Sequence, residues 1–346
     1  MNKRLFSLVV MASIIAGATS CKKDTAAPAI IPSDGTSQTL NGGSGGANAV
    51  NSVFLDLSTD KQDSVSRASW DLGFYCGTDF KVIINNTTWA KGYVLTRNDL
   101  TTVVASDTTS LSFAQTYSAA DYNTIDTITG DMSKTVIPTV SATDASNYVV
   151  ILNRGTGGAI AAKPLVKLRV LRNGTGYTVQ YAGITDATFK TITVSKDDSY
   201  NYKYVSFTAN GLVTVEPQKK LWDMEWTYAL YQTPYGTSTI PYAFSDMILI
   251  NNVGGTTAAE VLTSRVSYTN FADSSIANTT FSNNRHVIGS NWRSTSPATG
   301  VKTDRFYVLK DVLGNVYKIK FNSMGAGDGG TRGYPQLEYK LVRKGS

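Results

Sequence analysis

Two short aromatic stretches constrain this chain more than any other feature. In the first, Trp70, Leu72 and Phe74 alternate with Asp71 and Gly73, the two-residue period of a strand with one buried face. In the second, Trp222, Met224, Trp226 and Tyr228 alternate with Asp223, Glu225 and Thr227. Trp222 follows Trp70 by 152 positions. An apolar strand ending in an Asn pair comes after each: Val82 to Asn86 in the first copy, Met247 to Asn252 in the second. Such recurrence points to a fold present twice.

Other landmarks keep the order. A strand opens each copy, Val53 to Leu57 leading to the Trp70 strand and Tyr204 to Phe207 leading to the Trp222 strand. Tyr117 to Ile125 matches Tyr268 to Ile276, and Ser118 or Thr269 could cap a helical turn or two. Lys134-Thr135 matches Arg285-His286, and Leu168 matches Ile319. Each copy closes with strands around a Gly-containing turn, Tyr148 to Val170 and Phe306 to Phe321, with lysines and arginines alternating on the wet face. The expectation is an all-β chain of two tandem antiparallel modules with few short helices, over residues 49–190 and 191–346. The second copy carries a longer, aromatic-rich loop from Tyr231 to Phe244.

The N-terminus reads differently. Lys3 and Arg4 precede an apolar run from Leu5 to Ala18, too short to span a bilayer and matching a secretory signal over residues 1–20. Ala18-Thr19-Ser20-Cys21 is a lipoprotein cleavage pattern, in which Cys21 is diacylated and becomes the new N-terminus. Residues 21–48 are rich in Ala, Pro, Ser, Gly and Thr, which predicts a flexible tether. The chain is thus expected to be held by lipid at the outer membrane, facing the cell surface. With Cys21 acylated, Cys76 stands alone as a buried thiol, and no disulfide joins the modules.

Composition narrows the functional classes. Charged residues are 17% of the chain and the formal net charge is +6, without a long basic run, so nucleic acid is not an expected partner. No Gly-x-Ser-x-Gly elbow, His-Glu-x-x-His helix or phosphate-binding Gly loop is present, and a single histidine leaves little for Ser/His or Cys/His catalysis. A binding protein is expected rather than an enzyme.

The strand Trp70 to Phe74, its variant Trp222 to Trp226 and the hairpin Phe306 to Phe321, with Gly314 in its turn and Lys318 and Lys320 beyond, resemble the HmuY family of Gram-negative surface lipoproteins. The resemblance implies an all-β fold in each module and capture of haem by two axial side chains for delivery to an outer-membrane receptor. A bis-His site is excluded, because His286 is the sole histidine. A His/Met pair is sound ligation chemistry for haem iron. Among Met132, Met224, Met247 and Met324, Met247 is the expected partner of His286. Tyr242 and Trp292, with Tyr235, would wall a porphyrin, and Arg285 and Arg293 would pair with its propionates. No metal site other than haem iron at His286 is expected. The alternative is a lipoprotein of the same fold that binds a glycan or a protein partner instead.

Overall fold

Asp71 and Asp223 show how the strands are joined. The backbone N–H of Asp223 donates to Leu55 O at 2.8 Å, and its carboxylate accepts the N–H of Leu57 at 2.8 Å. Asp71 repeats this on the other copy, donating to Val205 O at 2.8 Å and accepting from Phe207 N at 2.7 Å. Each Trp-Asp pair therefore clamps an opening hairpin, but the hairpin belongs to the other copy. Asn51–Asp56 pairs with the strand Met224–Tyr235, and Tyr202–Ser206 pairs with Leu72–Tyr75. The sheets consequently do not divide at 190/191 as the sequence suggests.

This computed structural model describes residues 31–345; the signal segment and Cys21 lie outside the described residues. Four antiparallel sheets and a small two-stranded one make an all-β body, and its helical pieces are 3-10 turns of three to six residues. One four-stranded sheet runs Gly211–Val213, Tyr202–Ser206, Leu72–Tyr75, Val82–Ile84, and the other runs Lys61–Ser66, Asn51–Asp56, Met224–Tyr235, Ser238–Ile250. One five-stranded sheet runs Lys91–Val94, Val150–Asn153, Val166–Asn173, Gly176–Gly183, Lys190–Val194. Its counterpart runs Thr257–Leu262, Arg305–Lys310, Val316–Ser323, Gln336–Arg343, Ser37–Thr39. The closing hairpins fall where the alternation placed them. Ser118 caps the turn Ala119–Thr124, whereas the matching turn Asp273–Asn278 begins at Ala272 rather than Thr269.

Three expectations are corrected. From residue 31 on, the segment assigned to the tether is packed: Leu40 is fully buried and Ser37–Thr39 pairs with Gln336–Glu338. Small residues serve close approach there. A Cβ on Gly42 would lie 2.3 Å from the Trp226 ring and 2.4 Å from Gly333 O. Second, Trp70 does not share a face with Leu72 and Phe74. It ends the turn Arg67–Ser69, the strand starts only at Leu72, and Trp70 joins Trp222, Phe54, Tyr202 and Tyr204 in a cluster between the two cores. Trp222 likewise leaves Met224 and Trp226 to the other core, and a bulge between Thr227 and Ala229 takes Tyr228 out of register. Third, Tyr231 to Phe244 is no loop. Its aromatic and β-branched residues extend a hairpin paired out to Tyr235 opposite Ser238, closed by Gly236 at φ 60°.

Candidate functional site

The cavity between the two halves is built from the tryptophan cluster. Trp70 packs edge-on against Tyr204 at 4.9 Å between ring centroids, and Trp222 against Phe54 at 5.1 Å. The first Asn of each pair fixes its tryptophan's backbone: the side-chain amide of Asn85 donates to Trp70 O and Arg67 O, and that of Asn251 to Trp222 O and Lys219 O, at 2.8–2.9 Å. Between the rings lies a cavity of about 80 Å³. Its polar wall includes Asn201, Asp126, Glu216, Glu225 and Arg285.

The charges there are unequal. Glu225 pairs with Arg285 at 3.6 Å. Asp126 accepts the backbone N–H groups of Ile84 and Val136, each at 2.7 Å. Glu216 accepts the N–H of Tyr202 at 2.8 Å, and burial pushes its carboxyl up to about 8. The Asn201 Oδ1 and Trp222 Nε1 atoms are buried without a hydrogen-bond partner among the described residues. Of the side chains singled out from sequence, only Arg285 among the six haem candidates reaches this wall; Thr135, at the position matching His286, also lines it.

His286 is buried. Its ring stacks on Tyr231 with centroids 4.3 Å apart, and neither ring nitrogen has a partner among the described residues. Burial, helped by the neighbouring Arg285 charge, pushes its pKa down to about 3, so the imidazole is neutral with its lone pair unspent. That state suits a metal ligand. Met247 is fully enclosed with Ala229 and Leu249, in a cluster that Tyr231 also borders. Trp292 is a core residue: its indole N–H donates to Asp246 O at 2.9 Å and its ring stacks on Phe321. Arg293 is buried and donates to Ser245 O. Tyr242 is exposed beside Phe244. Of the six, Met247 and Trp292 are enclosed in core clusters, Arg293 is buried and Tyr242 is exposed. The donor chemistry of His286 fits haem iron; the central cavity, which His286 does not line, is too small for a group that needs several hundred Å³. Met132 accepts a hydrogen bond from Tyr202, and Met224 and Met324 are core. Cys76 is a free, buried thiol whose pKa burial raises.

Sequence reasoning missed Glu216 and Asn201. Glu225 had a signal, an acid between Met224 and Trp226 where the first copy has Gly73, but nothing marked Glu216. The two buried groups with opposite shifts give a pH prediction. The folded state binds the Glu216 proton more tightly than an ordinary carboxyl at 4.5, so its contribution to stability is full below that pH and is lost as pH rises to about 8. His286 has the opposite sign: its contribution is present above 6.5 and lost as pH falls toward 3. Between 4.5 and 6.5 the two slopes oppose each other. Melting temperature should therefore fall from pH 6.5 to 8.5, and Glu216→Gln should make that limb shallower. An equally steep limb in the variant would show that Glu216 is not its source.

The described residues form an all-β body with paired hairpins and an aromatic cavity, and no group of three or more His, Cys, Asp or Glu side chains among them is placed to hold a metal ion. A family model described as HmuY protein matches residues 48–339, and the chain belongs to the HmuY family. That family is associated with haem binding, is not an enzyme family and is generally surface-exposed. No curated protein and no solved structure matches the chain. Among the described residues, no helix is long and apolar enough to cross a membrane.

Proposed function

We propose that this chain is a lipid-anchored outer-membrane protein that captures haem or a related porphyrin and passes it to a membrane receptor. The observation that carries this reading is the family match across residues 48–339. The neutral, unpartnered imidazole of His286 supports it as a single iron ligand. Cys21 is the proposed lipidation site and lies outside the described residues. The identical strand order of the two halves, with the matched Asp71/Asp223 and Asn85/Asn251 bonds, supports two copies of one module, each closed by the other's opening hairpin.

A second reading, a protein of the same fold with a non-haem ligand such as a glycan or protein, is favoured by one observation: Met247 is sealed inside its cluster. Haemin titration separates the two. Capture of haem predicts a sharpened Soret band at equimolar haemin, with distinct ferrous bands that weaken in His286→Ala. A spectrum like that of free haemin would overturn the haem reading and leave the second.

A further inference from the structure

We propose that the cavity between Trp70 and Trp222 binds a small organic ammonium ion, its charged head against Glu216 and its alkyl part among the aromatic rings. This site is separate from any haem site at His286, which does not line the cavity. Three features of the wall converge on that ligand chemistry. The rings of Phe54, Trp70, Tyr204 and Trp222 line the space and give the alkyl part apolar contact. Glu216 is buried at 3% exposure and no cation pairs with it among the described residues. Asn201, also 3% exposed, spends its amide N–H on Asn251 Oδ1 at 2.8 Å, which leaves its Oδ1 as an acceptor without a partner.

Other ligand classes fit less well. Arg285 is the one cationic side chain on this wall and it is engaged by Glu225, so an anion finds no free cation there among the described residues. A purely apolar occupant would leave the Asn201 acceptor buried and unmet. An ammonium head supplies N–H donors to that oxygen and to the Glu216 carboxylate at once. The volume of about 80 Å³ has room for roughly five water-sized groups, which limits the ligand to a short chain. Glu216 faces Glu225, Asp126, Arg285, Tyr202 and Tyr204. Burial among them keeps the acid protonated at neutral pH, so an arriving cation displaces that proton to solvent.

The test is calorimetric titration of the intact protein with n-butylammonium chloride, using n-butanol as the neutral probe of the same length. One saturable site for butylammonium is expected, with butanol weaker by roughly tenfold or more, the loss of a charge-assisted hydrogen bond. Glu216→Gln, checked for native near-ultraviolet circular dichroism, should lose butylammonium binding by a similar factor. Should the variant not fold, the comparison of the two probes on the unaltered protein decides. Absence of a saturable heat, as for a cavity that holds water alone, would overturn the proposal. So would equal affinity for butanol, or unchanged affinity in a folded Glu216→Gln protein.

Discussion

Asp71→Asn should cost about 3–5 kcal/mol of stability, while Asp223→Asn should cost less than about 1 kcal/mol. The two aspartates hold the same position in the two copies and accept equivalent backbone N–H groups. Their electrostatic settings differ. Asp71 forms a two-point ion pair with Arg154, at 2.7 and 2.8 Å, and both side chains are buried. Asparagine would turn an amide N–H toward the guanidinium and leave a buried cation with Thr208 Oγ1 as its remaining side-chain partner. Asp223 has no cation within ion-pairing distance among the described residues. Burial, followed by the Asp56 charge, raises its pKa well above the ordinary value, so its ionised form is disfavoured where it sits. Asparagine preserves its size and an oxygen for the Leu57 N–H without a charge to bury. Urea denaturation of both variants checks the contrast. For a chain of this size the larger loss corresponds to a melting shift of about 5–8 °C. Equal costs would show that the shared backbone clamp, not the Arg154 pair, sets the role of Asp71.

That contrast marks what could be read from sequence. Alternation at Trp70 to Phe74 and Trp222 to Trp226, the two closing hairpins and the Asn pairs give the strands and the all-β class, because period and turn residues are local properties. Partner choice is not local. Nothing in the alternation of Val53 to Leu57 says whether it will lie beside Leu72 or Met224, since both offer an apolar strand behind a Trp-Asp pair. The same holds for the candidate site. His286 and Met247 were chosen by residue chemistry, whereas their surroundings depend on packing that brings Tyr231 over the imidazole and closes Ala229 and Leu249 around the thioether. Glu216 and Asn201 meet the tryptophans only because the hairpins cross between the halves.

Crossing of the hairpins also determines what the N-terminal segment does. A chain that starts at Ala49 should lose about 3 kcal/mol or more relative to one that starts at Ile31. The composition of residues 31–48 alone predicts no difference between the two. The structure makes this segment the outer strand of a five-stranded sheet. Removing it uncovers the pocket of the fully buried Leu40 and takes Ser37–Thr39 from the edge of Gln336–Arg343. It also removes the Gln38 amide that donates to Tyr339 Oη at 2.9 Å and the Ser33 carbonyl that accepts from Tyr317 Oη at 3.1 Å. Gly42, seated on the Trp226 ring, goes with it. The ordering entropy of about eighteen residues is recovered, which keeps the net loss below the sum of these contacts. The newly exposed edge carries alternating Leu337, Tyr339 and Leu341, a template for pairing with another copy. Two measurements follow: a lower urea midpoint for the Ala49 chain, and concentration-dependent association in sedimentation. Identical midpoints for both chains would show that the strand Ser37–Thr39 adds nothing to the fold and that residues 31–48 are a tether after all.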